Sequence, residues 1–329
     1  MKYASIDIGT NTILMLIGEI VGDFPGKDGV NFNGNGSLNV NRIADFYEVP
    51  RVGKNVSATR KLAPDAMDRG FEVLGRYRAI ARDYGVKKIV ASATSAVRDA
   101  ANRQDFIKSV KDKFDFDVEV ISGEIEAKLG YLAAASGLPD RVEPTFVIDI
   151  GGGSTELSYG TGAKPAKFMS IDVGAVRVTE KFFAHNPPSD DELKNAVEFI
   201  EDALKVYPFH EITPKLIFAL AGTATTLALI AQGKYEFDVD AVTNYEMSYD
   251  ALKNVFENIR WKSPVEIRQM TQAAEGRADV LLAGALILLK VLEEVGAKKF
   301  LTTDRGLRYG YLLYKHMQFL LKIPLAGGR

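Results

Sequence analysis

Apolar positions along the chain switch between the period of a strand and that of a helix. From Tyr3 to Ile20 the residues are dense in β-branched and apolar types, interrupted once by Gly9-Thr10-Asn11. This predicts two strands joined by a tight turn, with Gly9 supplying unusual backbone angles. Residues 21–39 are rich in Gly and Asn and predict a long exposed loop. A third strand is predicted at 40–47. Behind Pro64, the residues Ala66, Met67, Gly70, Phe71, Leu74, Tyr77 and Ile80 recur at helical spacing, predicting an amphipathic helix to Tyr84 that Gly85 stops. A strand at 87–91, a helix over 99–114, a strand at 118–121 and a helix over 124–135 complete this half.

The pattern then restarts. Strands are predicted at 145–150, 155–159 and 167–172, helices at 175–183 and 190–206, a strand at 215–220, and a helix over 225–231 that Gly222 opens. Helices at 249–258, 264–271 and 279–295, a strand at 300–303 and a last helix at 307–321 follow. Ile6-Asp7-Ile8-Gly9-Thr10-Asn11-Thr12 and Ile148-Asp149-Ile150-Gly151-Gly152-Gly153-Ser154-Thr155 share one plan: strand, Asp, apolar residue, Gly, small polar turn, strand. The period is domain-sized, so the repeat reads as a duplication and not as a solenoid. The expected domains are residues 1–123 and 124–306, with a C-terminal helix in 307–329 packing back on the first.

Composition narrows the choice. The chain has 329 residues, 41 Lys+Arg against 43 Asp+Glu, no Cys and 3 His. Zero Cys excludes a disulfide scaffold, thiol catalysis and thiolate metal sites. It fits a reducing compartment, and a cytoplasmic location is expected. His185, His210 and His316 are scattered, which excludes a helical His pair of zinc-protease type. The longest apolar run, 280–289, is short of the roughly 20 residues that cross a bilayer, so a core helix and no membrane association are expected. No targeting segment is read at the N-terminus, where Asp7 interrupts the apolar stretch. A net charge of −2 excludes a broadly basic surface of the kind that grips nucleic acid.

The repeated turn carries chemistry. A Gly lets backbone approach an anion closely, and backbone N–H groups with the Thr10 hydroxyl and the Asn11 amide can hold phosphate oxygens. Asp7 at the strand end can hold a hydrated divalent cation. The second copy offers Asp149, Gly151, Gly152, Ser154 and Glu156 in the same arrangement. A single such hairpin is a common turn, but two copies in matched domains predict two phosphate clamps facing a cleft. Ala221-Gly222-Thr223 sits between a strand and a helix, where a helix N-terminus favours anions. Arg98 follows a strand directly and points from the edge where clefts form in α/β folds. Arg51 and Lys54 sit in a Gly-containing loop that can overhang the same mouth. Arg277, Arg305 and Arg308 border turns, and for these a structural role is expected. Glu124 and Glu126 stand where a helix begins between the repeats, a place where an acid is often only a partner for the helix dipole. No phosphate-binding P-loop and no nucleophile elbow occurs.

Six blocks occur in family order: Ser5-Ile-Asp-Ile-Gly-Thr-Asn-Thr, Ala93-Thr-Ser-Ala-Val-Arg-Asp-Ala-Ala-Asn, Ile121-Ser-Gly-Glu-Ile-Glu-Ala, Val147-Ile-Asp-Ile-Gly-Gly-Gly-Ser-Thr-Glu, Ala221-Gly-Thr-Ala-Thr and Thr303-Asp-Arg-Gly-Leu-Arg-Tyr-Gly. Through them the chain resembles the exopolyphosphatase/guanosine pentaphosphate phosphatase (Ppx/GppA) family over residues 2–313. The resemblance implies an α/β protein of two ribonuclease-H-like, actin-like ATPase domains facing a central cleft. It implies Mg²⁺-dependent removal of terminal phosphate from inorganic polyphosphate, or of the 5′ γ-phosphate from guanosine pentaphosphate, with Mn²⁺ as the alternative metal. It also implies that a homodimer is compatible with the fold. Carried over residue by residue, Glu126 matches the general base that activates water. Asp149, Gly151, Ser154 and Glu156 match positions around the metal and the terminal phosphate. Thr10, Asn11, Arg98, Gly222 and Thr223 match phosphate-contacting positions. The family block often reads Gly-Glu-Glu-Glu-Ala; here Ile125 replaces the middle acid and Glu126 is retained. The rival expectations are a small-molecule kinase or ATPase of the same superfamily, and a non-enzymatic actin-like scaffold or nucleotide sensor.

Overall fold

A computed structural model describes residues 1–22, 38–137, 143–162 and 164–321. The expected loop at 21–39 falls almost entirely outside these residues, as does the stretch beyond 321. The chain forms two compact units, Met1–Val142 with Gly162–Lys164 and Leu307–Arg329, and Glu143–Thr161 with Pro165–Gly306.

The first unit is built on strands β1 (Lys2–Ile8), β2 (Ile13–Val21), β3 (Asn39–Glu48), β4 (Lys88–Ala93) and β5 (Val118–Val120), in the order β3-β2-β1-β4-β5. β1 to β3 form an antiparallel meander, while β4 and β5 run parallel to β1. Parallel strands need helical crossovers, and here the crossover helices cover one face. Ala4, Ile6 and Ile8 join Leu74, Tyr77 and Phe106 from the helices Pro64–Asp83 and Arg103–Phe114. On the opposite face, Tyr3, Leu16 and Val90 pack with Leu129 and Leu312 from the helices Gly123–Ser136 and Leu307–Leu321. The alternation along β1 therefore serves two cores. The two helices of the second face approach closely at Gly310, where a Cβ would run into the Leu129 carbonyl. The helix Gly123–Ser136 thus packs inside the first unit, which extends past the boundary expected at 123.

The second unit repeats the plan with β6 (Pro144–Ile150), β7 (Thr155–Thr161), β8 (Lys164–Ile171), β9 (Leu216–Leu220), β10 (Tyr245–Ser248) and β11 (Lys299–Thr303). Its order is β10-β11-β9-β6-β7-β8. Read from the other side, this is the order of the first sheet with β10 added at the edge. The run 280–289 lies in the core helix Leu281–Glu294, buried from Leu281 to Leu292 except for Lys290, because a helix apolar all round has no face for water. Among the described residues no helix is long and apolar enough to cross a membrane.

Three local expectations change. The helix expected over 99–114 is two helices, Ser95–Asp99 and Arg103–Phe114. At the break, Asn102 bonds both backbone groups of Leu62, at 2.9 and 3.0 Å, and the Ala101 N–H donates to the Arg60 carbonyl. Those tertiary bonds outweigh helix propensity. β10 was not expected; it adds antiparallel to β11 after Asn244, which takes a φ of 58°. Gly9 does not adopt a left-handed angle. Its lack of a side chain matters because a Cβ there would lie 3.2 Å from the Thr12 carbonyl oxygen, across the turn that the Gly9 N–H closes at 2.9 Å.

Candidate active site

Both units gather their polar residues at the same place, the C-terminal edge of the parallel strands, where open α/β sheets bind ligands. The two hairpins superpose in logic. In β1–β2, Ile8 pairs with Ile13 and Asp7 with Leu14; in β6–β7, Ile150 pairs with Thr155 and Asp149 with Glu156. The Gly151 N–H closes the second turn on the Ser154 carbonyl at 3.0 Å, as Gly9 closes the first.

The carbonyl side of each turn is engaged within its own unit. In the first, the Gly53 N–H donates to the Thr10 carbonyl at 2.8 Å and the Arg51 N–H to the Asn11 carbonyl at 3.0 Å. The expected overhang of the 51–54 loop is thus a docked loop, with Arg51 at a φ of 53°. In the second, the helix Ala175–Phe182 sets its N-terminus on the turn. The Ala175 N–H donates to the Gly151 carbonyl and those of Val176 and Arg177 to Gly152, while Arg177 Nε donates to Gly153 at 2.7 Å. Gly174 permits this approach, since a Cβ there would strike the Gly152 backbone.

In the first unit, β4 ends beside β1 with Ala93 opposite Ile8, and the Thr94 N–H donates to the Ile8 carbonyl. This brings Ser95 to Thr10: their hydroxyls lie 2.8 Å apart, and both residues are buried. The Thr10 hydroxyl is therefore engaged inside the unit. Arg98 Nη1 donates to Glu126 Oε2 at 3.0 Å and to the Ile121 carbonyl at 3.2 Å. The pair is well shielded, with the Arg98 side chain 21 % and the Glu126 side chain 11 % exposed. Glu126 stands in the first turn of the helix Gly123–Ser136, capped by Ser122, whose hydroxyl accepts from the Ile125 N–H. Ile125 packs against the core of Leu129 and Leu132, which accounts physically for an apolar residue between two acids.

In the second unit, Asp149 lies opposite Glu156 on one side and Leu220 on the other. Glu156 is 3 % exposed, and its Oε1 accepts from Ser154 Oγ at 2.8 Å and from Ser170 Oγ at 2.6 Å. Leu220 leads into the helix Ala221–Gln232, whose first residue takes a φ of 63°. A non-glycine residue in that region is strained, and such strain gathers at functional turns. A Cβ at Gly222 would land on the Arg277 guanidinium, so Arg277 covers the start of this helix. Thr223 is buried against Gly284.

The site residues thus fall into two groups. Asp7, Thr10, Asn11, Arg98 and Glu126 collect at the edge of the first unit. Asp149, Gly151, Gly152, Ser154, Glu156, Gly222 and Thr223 collect at the edge of the second. Ser95, Ser170, Arg177 and Arg277 join them without having been singled out as site residues. Ser95 was inside a quoted block; the other three carry no local signal beyond a polar residue near a turn.

The donor set around Asp149 suits a hard divalent cation. Carboxylates directly opposite each other on a strand pair repel, and a cation between them reverses that repulsion. Mg²⁺ uses one or two carboxylates and fills its other positions with water and substrate phosphate. Asp149 and Glu156, paired across the hairpin, supply the two carboxylates that such an open site uses.

Known proteins share this sequence and fold. A bifunctional 3-dehydroquinate synthase/phosphatase of Fusobacterium nucleatum is 29 % identical over 318 residues; the match covers 94 % of this chain and 46 % of that protein. The chain thus spans about half the length of that relative. Exopolyphosphatase 2 of Mycobacterium tuberculosis is 30 % identical over 306 residues, covering 89 % of this chain and 91 % of that protein. The crystal structure of the Aquifex aeolicus Ppx/GppA member has 32 % identity and a TM-score of 0.77, covering 97 % of this chain and 98 % of that one. With the Ppx/GppA phosphatase family matching residues 40–319, the duplicated sheets and their paired hairpins are those of a member of that family.

Proposed function

We propose that the protein is a phosphoanhydride hydrolase that removes terminal orthophosphate from inorganic polyphosphate by in-line attack of water. The observation that carries this reading is the Arg98–Glu126 pair: a phosphate-binding cation and a carboxylate base, bonded to each other at a shielded strand edge. Phosphoryl transfer is mainly positioning and charge neutralisation. A terminal phosphate competes with Glu126 for Arg98, since both are anions and Arg binds either bidentately. Once Arg98 turns to the phosphate, Glu126 is released to accept the proton of the attacking water. The backbone N–H groups of the turns at Thr10-Asn11 and Gly151-Gly152, and the helix start at Gly222-Thr223, hold phosphate oxygens. Asp149 and Glu156 of the second unit, and separately Asp7 of the first, are the candidate carboxylates for Mg²⁺ or Mn²⁺, which would neutralise charge on the transferred group.

Guanosine pentaphosphate is the second substrate to test, since the family name covers both activities. The cysteine-free composition suits the cytoplasm, and a homodimer is the assembly to test in solution. The deciding assay measures phosphate release from long polyphosphate, short polyphosphate and guanosine pentaphosphate, each with Mg²⁺ and with chelator. Metal-dependent release from at least one substrate is expected; release from none overturns the proposal. A positioned base contributes about 10²–10⁴-fold, so Glu126→Gln should lose that much turnover while still binding tripolyphosphate. Near-normal turnover would remove Glu126 from the role.

A further inference from the structure

We propose that Ser170 is a positioning residue that sets the Glu156 carboxylate for its cation, an inference that rests on the metal reading of the second hairpin. Glu156 is buried, and two hydroxyls meet the same oxygen of its carboxylate: Ser154 Oγ at 2.8 Å and Ser170 Oγ at 2.6 Å, each to Oε1. A carboxylate oxygen offers two lone-pair positions. Two donors on Oε1 fix the plane of the carboxylate. The 2.6 Å contact has the length of a charge-assisted O–H···O⁻ bond.

The two donors come from different places. Ser154 belongs to the turn, and Ser170 stands on β8, the strand beyond β7 in the sheet. A turn hydroxyl alone could swing with the turn; a second donor from another strand ties the carboxylate to the sheet. The first unit supplies an internal comparison. The position opposite Asp7 is Leu14, and opposite Leu14 on β3 stands Tyr47. The first hairpin lacks the second acid, so the acid and its two hydroxyl partners belong to one copy of the duplication.

The test uses the full chain and Mn²⁺ as the probe, followed by the electron paramagnetic resonance signal of the free ion, with thermal unfolding measured alongside. Removing an outer partner of a metal ligand costs about 10–100-fold in affinity. Ser170→Ala should weaken Mn²⁺ binding by that amount while lowering the metal-free unfolding midpoint only as far as the loss of one hydrogen bond requires, and Ser170→Thr, which keeps the hydroxyl, should restore the binding. Glu156→Gln is the control on the underlying reading. If Ser170→Ala binds Mn²⁺ like the parent while Glu156→Gln does not, Glu156 stands as a ligand and the role of Ser170 falls. If Glu156→Gln also binds like the parent, the metal reading itself falls and takes the inference with it. Should Ser170→Ala fail to fold, Ser170→Cys keeps the volume with a weaker donor, and parent-like Mn²⁺ affinity in that variant overturns the proposal.

Discussion

Replacing Gly53 by Ala tests whether the first turn is held by packing as tightly as its geometry indicates. A Cβ at residue 53 would lie 2.5 Å from Thr10 Cγ2, 2.6 Å from Ala96 Cβ and 3.0 Å from Thr10 Cα. Carbon atoms rest at about 3.5–4.0 Å, so the loop must back away by roughly 1 Å. Neither Ala96 Cβ nor Thr10 Cα can swing aside, since both are fixed to backbone. The same retreat stretches the Gly53 N–H bond to the Thr10 carbonyl, now 2.8 Å. Overpacking costs about 1–3 kcal/mol, and the net loss of a hydrogen bond adds about 1 kcal/mol. Urea unfolding should therefore show a loss of roughly 2–4 kcal/mol. A displacement of about 1 Å in a binding turn can cost on the order of 10² in rate, which phosphate release would report. The matched control is Gly75→Ala, in the middle of the helix Pro64–Asp83. There the added Cβ lies 3.2 Å from Phe114 Cε1, a ring edge that can yield. Ala gains up to about 1 kcal/mol of helix propensity over Gly, so this variant should be neutral or slightly more stable. If Gly53→Ala unfolds and turns over like the parent, the docking of the loop on the turn does not have the rigidity argued for it.

Other outcomes follow from single contacts. Gly222→Ala should evict the Arg277 guanidinium while leaving the backbone in place. Loss of a charge-assisted contact of about 1.5–3 kcal/mol should then weaken tripolyphosphate binding about 10–100-fold with little change in unfolding, and unchanged binding would refute a role for Arg277 at that helix start. The Glu192 carboxyl, in the capping box with Ser189, is pulled down to about 2, first by the Ser189 backbone N–H and further by His185. A depressed carboxyl stabilises the fold above its unfolded value, here 4.5, and that contribution disappears as pH falls toward 2. Glu192→Gln should therefore flatten the acid side of the stability profile measured by denaturant at pH 7, 4 and 2.5; parallel profiles for the two proteins would contradict this.

The duplication was legible because it is written in short blocks. Asp-apolar-Gly after a strand appears twice, and each copy opens a sheet of the same strand order. Helix starts were legible where a local residue marks them, as Pro64 does for the helix Pro64–Asp83. The contacts that shape the candidate site were not, because they join residues whose proximity depends on register and crossover. Thr10 meets Ser95 only because β4 lies beside β1. Ser170 meets Glu156 only because β8 lies beside β7. Nothing near Asn102 in the chain signals that it will bond Leu62 and split a helix. Arg277 was read as a structural arginine because its position over Gly222 depends on how two distant segments pack. The interval between legible and hidden is thus the interval between local propensity and tertiary pairing.

The engagement of both turns on their carbonyl side has a consequence for charge selection. A loop of backbone offers oxygens to cations and N–H groups to anions in equal measure. With Thr10, Asn11, Gly151, Gly152 and Gly153 giving their oxygens to neighbouring N–H groups, the cation-seeking half of each turn is engaged. The turns then act as filters for the sign of charge, and the task of attracting a cation passes wholly to the carboxylates of the hairpin. Exchange of one divalent ion for another should accordingly change how fast a phosphate leaves without changing where it is held.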